Sequence, residues 1–317
     1  MNHQIGRTLA RLLGLFTLGL VHAPSAHGCA ACGCSLASDW ESQGYSVEPG
    51  FKLDVTYAYL EQEQLRSGTH NISPSDVPEG QELEKSTRNN ITTLGLDYIF
   101  NSDWGVSLDV PWVAREHSTL GESHDELQTS STSNIGDLRL MGRFQGFTSE
   151  HRFGLTLGIK LATGSFTDTF SSGEPLDRGL QPGTGTTDLL AGVYYFGTFA
   201  KNWGYFAQAA LQTPLDSRAD YKPGTAENLN VGLRYTGIGG VIPQFQVNGR
   251  IAGRDSGAEA DALDSGGSLI FISPGVTFEV THQLATYVFV QVPVYQNLNG
   301  YQLAPNWGIT AGVRYVF

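Results

Sequence analysis

No apolar run in this chain of 317 residues is long enough to cross a bilayer as a helix. The one continuous stretch, Leu12 to Val21, falls well short of the roughly twenty residues such a span needs. Preceded by Arg7 and Arg11, it has the charged start and short apolar centre of a secretory signal, expected over 1–28. Plain cleavage after Gly28 would leave Cys29 first, and a lipoprotein-type cleavage that acylates Cys29 is the other option. Basic residues are scarce too: 19 Lys and Arg against 31 Asp and Glu give a net charge of -12, which argues against nucleic acid as a partner. Histidine is missing from strand centres. His70, His117, His124, His151 and His282 fall in expected loops or turns, so the oriented Ser–His pair of a barrel hydrolase has no place and no enzyme is expected. Only residues 29–49 separate the signal from the first strand-like segment, too few for the plug of an energised receptor.

What remains is a chain with 16% charged residues, 11% aromatics and 39 glycines, a balance that suits a β protein better than a helical enzyme. Its C-terminus alternates cleanly: Trp307, Ile309, Ala311, Val313, Tyr315 on one face, Thr310, Gly312 and Arg314 on the other, ending on Phe317. Similar ten- to twelve-residue amphipathic segments begin at Phe51-Leu53-Val55-Tyr57-Tyr59 and recur to the end of the chain, twelve in all. Short connections at 101–103, 148–150, 200–202, 237–240 and 281–283 alternate with long polar ones at 62–88, 115–133, 164–185, 214–227, 254–267 and 296–305. A sandwich also alternates apolar and polar residues but has no reason to make every second connection long. The expectation is an all-β, transmembrane, antiparallel up-and-down β-barrel of about 12 strands over 50–317, with a short periplasmic extension at 29–49. Trp104, Trp203 and Trp307 would belong to its interface girdle, and Pro111, Pro274 and Pro293 would mark bulges or strand ends.

If the apolar face meets lipid, the opposite face lines the interior. Asp97, Asp109, Asp137, Arg139, Arg143, Lys160, Arg234, Arg250, Glu279 and Arg314 are the charged residues assigned to it. Two readings stay open: a pore whose selectivity is set by rings of charge, or a packed polar core of paired groups. Several Arg on one wall would favour anions such as carboxylates or phosphate. Much of the acidity lies in Glu61–Lys85 and Glu116–Glu126, where it is either simply solvated or able to hold divalent cations that bridge lipopolysaccharide.

All three cysteines fall in Cys29-Ala-Ala-Cys32-Gly-Cys34. Three thiolates so close can converge on one soft ion, with Cu(I) or Zn(II) the natural candidates. In an oxidising compartment the same residues form a disulfide with one thiol over, and acylation of Cys29 would leave Cys32 and Cys34 as a reactive pair. The stretch from Cys32-Gly-Cys34 through Trp40 to Gly44-Tyr45, with Leu65-Arg-Ser-Gly68, Leu94-Gly-Leu-Asp97-Tyr98, Trp104-Gly-Val-Ser-Leu-Asp-Val-Pro111 and Gly142-Arg-Phe-Gln-Gly146, resembles a family of proteobacterial outer-membrane barrels. Ile135-Gly-Asp137-Leu-Arg139 is also similar to barrels of transporter-like or phenol-degradation-pathway type. That resemblance implies an outer-membrane location and a barrel far more than a cargo. The functional expectation is passive, porin-like passage of a small solute or ion, with outer-membrane lipid and lipopolysaccharide as surroundings. The alternative is a metal- or redox-handling scaffold that docks a periplasmic protein partner through the cysteine segment.

Overall fold

The computed structural model describes residues 49–317, and these form an antiparallel sheet closed on itself. The signal over 1–28 and the segment bearing Cys29, Cys32 and Cys34 lie outside the described residues. In chain order the strands are β1 Gly50–Gly68, β2 His70–Asn71, β3 Leu83–Ile99, β4 Trp104–Leu120, β5 Leu127–Ile135, β6 Leu138–Phe144 and β7 Phe153–Leu161. They continue as β8 Asp188–Ala200, β9 Trp203–Pro214, β10 Ala226–Tyr235, β11 Val241–Ala252, β12 Gly267–Glu279 and β13 Leu284–Val316. Apart from β2 and β5, each strand pairs with the next in sequence, and β13 returns to β1 to seal the ring. β2 is a small flap on β1, while β5 continues the path of β6 beyond a break at Gly136–Asp137.

Parity decides the strand count. Eleven of these elements form the wall, yet a ring in which every neighbour is antiparallel must have an even number of passes. The last element resolves this, because β13 pairs with β12 as far as Leu298 and with β1 from Leu298 onward. It folds back at Gly300, whose φ of 57° lies in the left-handed region that glycine adopts without strain. The Gln296 side chain reaches across this hairpin to the Pro305 carbonyl at 2.6 Å. The wall therefore has twelve passes, as the spacing predicts. Phe317 closes it: its amide donates to the Phe51 carbonyl at 3.0 Å and the two rings lie 5.3 Å apart.

The alternation of the sequence becomes the two sides of the wall. In β10, Glu227, Leu229, Val231 and Leu233 are exposed while Ala226, Asn228, Asn230 and Gly232 are buried. The same side of other strands exposes Val55, Leu94, Val106, Leu140, Leu157, Val193, Phe245, Val290 and Val313. At the end that carries Gly50 and Phe317, Trp104, Phe144, Phe147 and Phe153 contact one another in sequence, as do Phe199, Trp203 and Tyr235. Trp112 and Trp307 belong instead to the opposite rim, where their indole N–H groups donate to Ser133 and Glu61. Trp104 and Trp112 are eight residues apart on β4, so roughly 26 Å of strand separates the two girdles, enough for a tilted pass through a hydrocarbon layer.

The loops expected at 62–88, 115–133 and 296–305 are largely strand. β1 runs to Gly68, β3 starts at Leu83, β4 runs to Leu120, and the last hairpin turns within two residues. Pairing persists there because the inward side chains Leu65, Leu83 and Leu303 bury with Val77, Phe170, Leu176 and Leu180 in an apolar core inside the mouth. His117, expected in a loop, is consequently a buried strand residue bonded to Thr87 at 2.8 Å. Pro293 adjoins a bulge between Ile270 and Phe271, and Pro111 faces the break between β5 and β6, where the Gly136 amide donates to its carbonyl. Pro274 sits where the β12–β13 ladder skips from Ile272 to Gly275.

A charge placed at mid-strand on the exposed face should be costly. Leu157→Arg, in the middle of β7, is expected to destabilise folding into lipid vesicles by about 2–4 kcal/mol. Denaturant titration in lipid measures this, and an unchanged midpoint would contradict lipid contact at that position.

Candidate functional site

The interior is built from one rung of charge. In register around the wall lie Arg314 on β13, Asp54 on β1, Gly95 on β3, Asp109 on β4, Arg139 on β6, Lys160 on β7 and Asp188 on β8. Residues in register share a face, so six ionisable side chains on six passes point into the same lumen. Lys52 and Asp97 form the next cross-strand pair toward the termini. The remaining wall is lined by amides. Asn230 donates to Gln208, Asn248 donates to Asn230 at 2.8 Å, and Ser273 donates to Asn248. The charged rung thus occupies one half of the lumen, and the other is mostly amide-lined, with Arg250 of β11 donating to Asn228 at 3.2 Å.

The connection between β7 and β8, residues 162–187, folds inward across the loop end. Its anchor is Asp137, at the break between β5 and β6. One carboxylate oxygen of Asp137 accepts from the Gly164 amide at 3.0 Å, and the other accepts from the Thr184 amide and hydroxyl at 2.9 Å each. Lys160 donates to that second oxygen at 2.9 Å and lies 3.2 Å from Asp188. The side chains of Asp137, Lys160 and Asp188 are 7%, 4% and 1% exposed, so each charge depends on its partners for stability. Gly164 and Gly183 cross so closely that a Cβ on either would meet the other's backbone within 2.7 Å, which only glycine permits.

Two arginines extend the latch. Arg115 of β4 donates to the carbonyls of Gly179 and Gln181 as well as to Asn89. Arg178 lies over the rings of Phe166 and Tyr221, 4.7 Å from each, and donates to the Thr184 and Arg218 carbonyls, joining this loop to 215–225. Leu176 and Leu180 sink into the apolar core at the mouth.

Below and beside this loop the lumen holds two cavities, of about 270 Å³ toward the loop end and about 160 Å³ toward the termini. They adjoin, because Thr56, Thr93, Asp109, Arg139 and Gln212 line both. Asp255, in the 253–266 connection, borders the upper one. Burial pushes its carboxyl above the usual carboxylate range, partly offset by the Gly224 amide and Tyr221 hydroxyl that donate to it at 2.8 Å.

Of the charged residues assigned to the interior from sequence, Asp97, Asp109, Asp137, Arg139, Arg143, Lys160, Arg250 and Arg314 border one or both cavities. Arg234 and Glu279 stand elsewhere, near the turn end: Arg234 is the penultimate residue of β10, and Glu279 is the exposed last residue of β12. Sequence reading did not find Arg115, Arg178 or Asp188. The first lay in a segment read as loop, the second acts through a backbone fold that no periodicity encodes, and the third begins a strand apolar on both faces. Among the described residues no group of three His, Cys, Asp or Glu side chains is placed to hold a metal ion. The proposed Cu(I) or Zn(II) ligands Cys29, Cys32 and Cys34 are outside that set.

No family model matches the chain, and no curated protein does. Solved structures do. The COG4313 outer-membrane channel from Pseudomonas putida F1 superposes with a TM-score of 0.66 at 13% identity, covering 86% of this chain and 97% of that one. The β domain of the Bordetella autotransporter BrkA and the CymD monoaromatic hydrocarbon channel are looser likenesses, with TM-scores of 0.48 and 0.47 at 12% and 9% identity. The first covers 85% of this chain and 100% of its own, the second 92% and 98%. The fold is that of an outer-membrane β-barrel, and the exposed apolar belt is the surface such a barrel sets against lipid.

Removing the anchor should free the loop while leaving the wall intact. Asp137→Ala is expected to make residues 162–187 several-fold more sensitive to protease added outside bilayer-embedded protein, with the barrel still folded. Unaltered cleavage kinetics would show that Asp137 does not hold the loop.

Proposed function

We propose that the protein is an outer-membrane channel that lets a small solute diffuse passively across the bilayer. The observation that carries this reading is the pair of adjoining, polar-lined cavities inside a closed barrel, meeting at Thr56, Thr93, Asp109, Arg139 and Gln212. A lumen serving only to hold the barrel's shape would be filled by side chains, as in narrower barrels, whereas here water-sized space persists on both sides of the charged rung. Lipid and lipopolysaccharide surround the belt, and the inward loop narrows the entrance so that only small molecules fit. Passage needs no energy input: rings of charge and amide replace part of a solute's hydration shell along the path.

Purified full-length protein in planar bilayers should give unitary current steps, and the same steps should persist in the Cys29→Ser, Cys32→Ser, Cys34→Ser triple variant. A folded protein that never conducts would overturn the channel reading. Absence of current in both proteins, with a role lost in the triple variant, would favour a scaffold acting through the cysteine segment.

A further inference from the structure

We propose that the junction of the two cavities is a binding site for a small hydroxylated monocarboxylate, with Arg139 as its cationic partner. This rests on the channel reading and specifies what the channel takes.

Charge is unevenly placed in the molecule. The chain carries a net charge of -12, yet eight of the seventeen Lys and Arg from residue 49 onward border the two cavities, against five of the twenty-eight Asp and Glu. An acidic protein has gathered its cations in its lumen. That excess raises the local concentration of an anion and lowers the barrier to its entry.

One of these cations stands apart. Most cations near the cavities are committed: Lys160 to Asp137 and Asp188, Arg115 and Arg178 to loop carbonyls and rings. Arg139 makes no hydrogen bond or ion pair with any described residue, and it alone among the cations borders both cavities. Its position is fixed by what precedes it. Asp137, two residues earlier on the same face, is tied to Lys160, Gly164 and Thr184, so the start of β6 cannot shift. A guanidinium on a rigid strand, bordering both cavities, suits the two oxygens of a carboxylate.

The neighbours of Arg139 limit the ligand's charge. Asp109 is the register partner of Arg139 and also borders both cavities, with Thr56, Thr93 and Gln212 completing the junction. At the junction itself Asp109 stands beside Arg139, so a second negative charge on the ligand would meet repulsion there. A monoanion that also carries a hydroxyl meets Arg139 with its carboxylate, and Asp109 or the two threonines with its hydroxyl.

In planar bilayers under a KCl gradient, the full-length protein should show a reversal potential on the chloride side. Sodium lactate at millimolar concentration should interrupt the chloride current. Arg139→Gln should need at least tenfold more lactate for the same interruption, while Arg139→Lys should keep the anion preference. Cation preference in the unmodified protein, lactate interruption unchanged by Arg139→Gln, or equal interruption by inorganic phosphate would each overturn the assignment. The arm with unmodified protein stands whether or not a variant folds. A protein giving no unitary current at all is a separate outcome, which removes the channel itself rather than its selectivity.

Discussion

A peptide N–H or C=O facing hydrocarbon without a partner costs several kcal/mol, so a strand can enter lipid only where both its edges are paired. Closure of the sheet is therefore the constraint on which everything else here depends. It explains why the final strand must reach β1 and why Phe317, at the seam, bonds to Phe51. It also explains why the last element turns back on itself: an eleven-pass ring could not be antiparallel throughout. The exposed belt of Val, Leu, Phe and Trp follows from closure too, since one side of every strand is left facing outward.

The inward side of the same strands meets a different requirement. Charges inside a narrow lumen need partners or water, and this protein supplies both in an ordered way. Along the rung, Lys160 is satisfied by two carboxylates, and the anchor Asp137 in turn collects the backbone of the inward loop. The ion cluster that settles buried charge thus also narrows the mouth. Its rigidity places Arg139 at the junction of the cavities, so that latch and lumen chemistry come from residues two apart on one strand face.

The wall was legible in the sequence because period-two alternation is a local property, and closure in lipid leaves little else for it to mean. β10 was legible as Val231, Leu233 and Tyr235, and the structure extends the same alternation back to Ala226. The charged residues of the interior were largely legible for the same reason, as members of the opposite face. The tops of β1, β3 and β4 were not. Their composition is acidic and loop-like, and what keeps them paired is a tertiary core of Leu65, Leu83 and Leu303 with residues of the 162–187 loop. Nor did any local pattern reveal that this loop turns inward. The available sign was Ile135-Gly-Asp137-Leu-Arg139 beside the glycines at 164 and 183, whose meaning is a close backbone crossing that appears only in three dimensions. Trp307, read as a girdle residue, is one, but at the rim away from the termini.

The wall divides lipid outside from a watery, polar lumen inside. Single cysteines placed along Ala226–Tyr235 in a background free of Cys29, Cys32 and Cys34 test this division most directly, using a membrane-impermeant, water-soluble thiol reagent on protein in lipid. Positions 228 and 230 should react while 229, 231 and 233 stay protected. Equal reaction along the whole strand, or the opposite alternation, would contradict it.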